Sequence, residues 1–151
     1  MPTAPIPIVV DTREQTPWEF PAPEYTTVRR ALTAGDYSLD GFEAEVAIER
    51  KSLDDYVQTV IHNRDRFERE LVKLEPLKLR AVIVEASYRD LVAHCYRSLA
   101  HPSSVFGLMV AIIVDHGVPV FFAEDIAIAS RLGARMLRRY WLKRHEQREA
   151  A

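Results

Sequence analysis

The chain has 151 residues, 48% of them apolar, with 20 Lys and Arg against 22 Asp and Glu, a formal charge of −2. That is enough for one core and little room for a second, so a single domain over 1–151 is expected, with its core at about 6–143 and a short basic tail at 144–151. The charge excludes a large sequence-independent basic surface, the lone Cys95 excludes an internal disulfide, the longest apolar stretch (105–114) is too short to span a membrane, and a proline-bearing start without a basic-hydrophobic signal points to a cytoplasmic or nucleoid-associated protein.

In chain order, Ile6 to Val10 reads as a strand that stops abruptly at Asp11-Thr12-Arg13-Glu14. A loop rich in proline and aromatics, 16–23, leads to a helix expected near 27–34. Gly35-Asp36 then opens a second strand, 37–39, which a hairpin around Asp40-Gly41 can pair with 43–48. That strand runs into Glu49-Arg50-Lys51. Side chains alternate along a strand, so Glu49 and Lys51 share one face and Arg50 points to the other. Ser52 is a helix N-cap with an acid three positions on, and the helix should begin at Leu53. Its apolar stripe, Leu53, Val57, Val60, Ile61, Phe67, Leu71 and Leu74, contains Arg64. After Glu75-Pro76 come a buried strand (79–85), a short helix (88–97), a helix from His101-Pro102 to Asp115 closed by Gly117, and a strand (118–122). A last helix runs from Asp125 to about Lys143. Arg131, Arg135, Arg138, Arg139, Lys143, Arg144 and Arg148 give the C-terminal helix a strongly basic character. Strands alternating with helices predict an α/β fold with a mixed sheet between helical layers.

Three strand ends thus carry acids: Asp11 or Glu14, Asp36, and Glu49. A carboxylate beside an ammonium on one strand face suits a metal-dependent phosphodiesterase, the carboxylate holding the cation and the lysine steadying water or offsetting phosphate charge. Each residue also has a plainer reading. Glu49 and Lys51 could be an exposed ion pair, Asp36 a turn aspartate, and Asp11, Glu14 and Asp55 capping groups. Arg64 could snorkel from the packed face or reach a phosphate. The basic residues of the last helix fit a solvated face better than a specific DNA groove.

Val10-Asp11-Thr12-Arg13-Glu14, Gly35-Asp36-Tyr37 and Ile48-Glu49-Arg50-Lys51, with Asp55 four residues beyond the lysine, together resemble the nuclease domain of the XPF family of structure-specific endonucleases, within the PD-(D/E)XK superfamily. The resemblance runs clearly from about Ile8 to Phe67. It implies a restriction-endonuclease-like three-layer fold and a Mg2+- or Mn2+-dependent endonuclease acting on branched or flapped DNA. Asp36, Glu49 and Glu14 would hold the metal and Lys51 would steady the attacking water. Arg13, Arg50, Arg64, Asp55 and Asp11 match other family positions, the arginines as stabilisers of transition-state charge. The family pattern has one residue fewer between Arg64 and Phe67, which leaves Arg66 as the alternative to Arg64, and the helix-hairpin-helix module that usually follows is absent from this sequence. The resemblance further implies a homodimer through the apolar faces of the last two helices, or help from a DNA-binding partner protein. The rival reading is a non-catalytic DNA-junction or partner-binding module on the same fold; a nuclease of restriction, recombination or mobile-element function is a second.

Overall fold

The structure, a computed structural model, describes residues 4–150. Its strands are β1 (Ile6–Val10), β2 (Tyr25–Arg29), β3 (Tyr37–Leu39), β4 (Val46–Lys51), β5 (Leu79–Val84) and β6 (Val120–Phe122), and its helices are α1 (Leu53–Ile61), α2 (Arg64–Leu74), α3 (Tyr88–Val92), α4 (Pro102–His116) and α5 (Ile126–Ala150). The six strands form one mixed sheet in the order β2-β1-β3-β4-β5-β6. Central β4 pairs antiparallel with β3, Tyr37 opposite Ile48, and parallel with β5 from Val46–Leu79 to Lys51–Val84. A parallel pair needs a crossover, and α1 and α2 supply it.

The two sheet faces are covered by different helices. On one, Ala47, Val82 and Val84 pack with Val57, Leu71 and Ile112 of α1, α2 and α4; on the other, Ile8, Ile48 and Ile83 pack with Ala129, Ala134 and Leu137 of α5 and with Trp18. Both faces of β5 are therefore apolar from Ala81 to Val84, as a strand buried on both sides requires. The result is the α/β, three-layer architecture expected. Among the described residues no helix is long and apolar enough to cross a membrane.

Local signals were good guides where a cap or turn was involved. Ser52 accepts a hydrogen bond from the Asp55 amide and α1 starts at Leu53; Gly117, at φ 64°, closes α4; Gly41, at φ 85°, turns the hairpin. Five expectations need correction. Residues 25–29 form an edge strand, not part of a helix near 27–34: Tyr25-Thr26-Thr27-Val28 is aromatic and β-branched, and pairing with β1 decides the matter. The stripe from Leu53 to Leu74 belongs to two helices, broken at His62-Asn63, where Asn63 leaves helical geometry at φ −123°, ψ 25°. The helix beginning at Tyr88 stops at Val92, before His94 at φ 59°. Strand β6 begins at Val120 rather than 118. Residues 144–150 are no separate tail but the end of α5, with the Arg144 and Arg148 guanidiniums over the Phe42 ring.

Candidate active site

The acids meet where the ends of β1, β3 and β4 converge. Gly35 is obligatory there. Its φ is 70°, and a Cβ would lie 2.9 Å from the Ala47 Cβ and 3.0 Å from the Ile48 carbonyl. The Asp36 amide donates to the Ile48 carbonyl at 2.8 Å, and its own carbonyl accepts from the Asp11 amide at 2.9 Å. Its carboxylate accepts from the Arg50 amide at 2.7 Å. Asp36 is thereby tied to both neighbouring strand ends.

Glu49 follows Ala47 on the face covered by α1 and α2, and Lys51 follows Glu49. The Lys51 ammonium lies 5.0 Å from the centre of the Phe67 ring. These side chains open into a polar cleft of about 340 Å3 bordered also by Arg13 and Glu14 after β1, Asp55 and Gln58 on α1, and Arg66 and Glu70 on α2. Burial raises the proton affinity of both central acids. Glu49 is pushed up to about 8, first by burial and then by the negative charges of Asp36 and Glu70, against the pull of Lys51 and Arg13. Asp36 is pushed up to about 6, by burial and by Glu14 and Asp11, against the Arg50 amide and Lys51. Neighbouring carboxylates so placed hold more negative charge than the protein neutralises.

The cleft gathers Asp36, Glu49, Lys51, Asp55, Arg13 and Glu14. Three other expected residues lie elsewhere. Asp11 is fully buried. It accepts from the Leu32 amide at 2.9 Å and from Arg13 Nε at 2.7 Å, and these bonds hold it below the usual carboxylate range despite burial. It braces the 30–32 segment and aims Arg13. Arg64 is exposed on the first turn of α2 and does not border the cleft, contrary to its place in the packed stripe; the helix break rotates α2 so that Arg66 borders it instead. Arg50 points through to the α5 face, where it pairs with Glu85 and, at 3.0 Å, with Glu14. Glu14 itself accepts from the Tyr37 hydroxyl at 2.7 Å. Its carboxylate is therefore engaged by Arg50 and Tyr37 while it borders the cleft.

Glu70 escaped the sequence reading. Glu70 stands three residues after Phe67, a spacing that places both on one side of a helix, and that signal was available. Between Arg64 and Arg66, which the sequence left open, the helix break decides for Arg66.

The donor set fits a hard divalent cation. Asp36 and Glu49 offer oxygen ligands, and a bound cation would offset the burial and mutual repulsion that raise their proton affinities. No group of three His, Cys, Asp or Glu side chains forms a ready cage among the described residues. Two carboxylates with the remaining positions left to water and phosphate is the usual arrangement for Mg2+.

Comparison with known proteins agrees with this architecture. A model of the ERCC4 domain matches residues 10–136. A Methanocaldococcus jannaschii protein provisionally named an ATP-dependent RNA helicase is 29% identical over 126 residues, which is 83% of this chain but 14% of that protein. The solved structure of XPF from Aeropyrum pernix superposes with a TM-score of 0.68 at 21% identity, covering 95% of this chain and 69% of that one. A structure of the same protein in complex with DNA gives 0.67 at 21% identity, with 91% and 66% covered. This chain thus spans about one seventh of the Methanocaldococcus jannaschii protein and about two thirds of the XPF chains.

Proposed function

The chain belongs to the ERCC4 domain family, and from that premise we propose that it is a metal-dependent DNA endonuclease that hydrolyses phosphodiester bonds at branched or flapped DNA. The observation that carries this reading is the convergence of Asp36, Glu49 and Lys51 on one cleft, with Glu49 pushed up to about 8.

Asp36 and Glu49 would hold Mg2+ or Mn2+, with Glu14 beside them. Such a cation polarises the scissile phosphate and acidifies a bound water. Lys51, whose ammonium has no ion-pair partner among the described residues, is free to steady the attacking water. Arg13 and Arg66 border the cleft and can face the phosphate, where a guanidinium suits two oxygens at once. Asp55 remains at the rim through its place beside the Ser52 cap.

In the same reading the protein acts in the cytoplasm or at the nucleoid and pairs with a second copy. Val110, Ile113 and Val114 of α4, Phe121 of β6, and Ile126 and Ile128 of α5 are exposed apolar side chains of the kind such pairing would cover. A DNA-binding partner protein could supply further grip.

The test is cleavage of labelled flap, fork and linear duplexes with Mg2+ or Mn2+, beside Asp36→Ala and Glu49→Ala. Branch-selective cutting lost in both variants supports the proposal. Intact DNA binding without cutting by the wild type favours the non-catalytic junction-binding module instead.

A further inference from the structure

Arg50 stands between Glu49 and Lys51 in sequence and contacts Asp36 and Glu14 of the cleft, yet its guanidinium is on the opposite side of the sheet. Its backbone amide holds the Asp36 carboxylate at 2.7 Å. Its side chain reaches Glu14, Tyr37 and the Thr16 carbonyl, at 3.0, 3.3 and 2.7 Å. Displacing this one residue would therefore move two of the carboxylates that border the cleft. What holds Arg50 is Glu85, just past β5, whose side chain is 7% exposed. One Glu85 oxygen accepts from Arg50 Nε and also, at 2.7 Å, from Trp18 Nε1.

The contacts close into a ring. Trp18 stacks on Tyr37 with ring centres 4.5 Å apart and planes 8° from parallel, and Arg50 lies over the same indole. The Trp18 amide donates to the Tyr37 hydroxyl, which donates to Glu14. Gly133 of α5 leaves the room this indole needs, since a Cβ there would stand 2.6 Å from Trp18.

We infer that Glu85 is a positioning residue: acting through Arg50 from the α5 face, it sets the placement of Asp36 and Glu14 without touching DNA or cation. The inference rests on the nuclease reading above. A group that orients ligands from outside is worth about 10–100-fold in affinity or rate.

The experiment compares wild type, Glu85→Ala, Glu85→Gln, Gly133→Ala and Asp36→Asn in the full chain. It measures Mn2+ affinity by the paramagnetic resonance of free Mn2+, kcat and KM on flap DNA, and melting temperature. Glu85→Ala should lower kcat by about tenfold and weaken Mn2+ binding severalfold with KM little changed. Glu85→Gln keeps an oxygen for both N–H donors and should recover most of that loss. Gly133→Ala displaces Trp18 without altering any polar group, and should show the same pattern more weakly. It decides the matter if Glu85→Ala does not fold. Melting temperature falling alone, with wild-type Mn2+ affinity and kcat in Glu85→Ala or in Gly133→Ala, overturns the inference. So does a glutamine variant no better than alanine. A wild type that binds Mn2+ through Asp36 and cuts DNA keeps the nuclease reading intact through any of these failures; one that does neither removes both.

Discussion

Glu49 and Lys51 on one side of β4 and Arg50 on the other live in opposite electrostatic worlds. On the α5 side the charges at the end of β4 are answered: Arg50 meets Glu14 and Glu85, with Tyr37 and Trp18 filling the remaining bonds. On the α1/α2 side, Glu49 and Asp36 repel each other, and no hydrogen bond or ion pair reaches the Glu49 carboxylate among the described residues. One face stabilises the strand end and the other destabilises it, which is the expected cost of a site prepared for a cation. Residues adjacent in sequence can therefore differ completely in role, because a strand turns each to the opposite layer.

The largest effect should come from neutralising the unanswered face. Glu49→Gln should reduce cleavage by more than the roughly 100-fold that losing an outer partner costs. A glutamine variant that cuts DNA at near wild-type rate would remove Glu49 from the site.

Next comes the answered face. Arg50→Ala leaves Glu14 and Glu85 without their cation and should lower unfolding free energy by about 3 kcal/mol in urea denaturation. Lys51→Met, one residue on, should change it by less than about 1 kcal/mol, since it breaks no ion pair. Equal losses in the two variants would erase the contrast between the faces.

The third prediction concerns pH. Glu49 and Asp36 hold protons in the folded state up to about 8 and about 6, against ordinary values near 4 in the unfolded chain. Between those limits the folded state binds more protons, so the stability of the metal-free protein falls as pH rises from 5 towards 8. Glu49→Gln should be more stable than wild type at pH 8.5 by at least about 1 kcal/mol, and added Mn2+ should close the gap by stabilising only the wild type. Thermal melts of both proteins across pH, with and without Mn2+, read this directly.

The smallest effect lies behind the cleft wall. His116 at the end of α4 bonds Glu68 of α2 through one ring nitrogen and Glu75 through the other, each at 2.6 Å. Burial opposes its charge, but the two carboxylates outweigh burial and raise its proton affinity. The stability it contributes is present below its unfolded value and lost as pH rises through the raised folded one. Both glutamates are more than a third exposed, so solvent screening keeps the effect under about 1 kcal/mol. His116→Gln should destabilise at pH 5.5 and leave stability at pH 9 unchanged; a loss equal at both values would mean packing, not charge, ties α2 to α4.

The strand ends, the Ser52 cap, the Asp40-Gly41 hairpin and the alternation through Glu49-Arg50-Lys51 were legible in the chain because each depends on backbone geometry over a few residues. So was the gathering of Asp36 with Glu49, since Gly35 and the hairpin bring them together over a short span. The partner of Arg50 was not, for Glu85 lies 35 residues away and only the parallel pairing of β4 with β5 makes them neighbours. Nor was the choice between Arg64 and Arg66, which turns on a helix break inside an unbroken apolar stripe. Edge strand β2 was hidden for a related reason: four of its five residues are exposed, so it carries no periodic apolar signal. Local order follows from steric and hydrogen-bonding rules that act between near neighbours. Which charges are answered and which are left to meet a cation depends on burial and on long-range pairing, and those exist only when the sheet and its two helical layers are assembled.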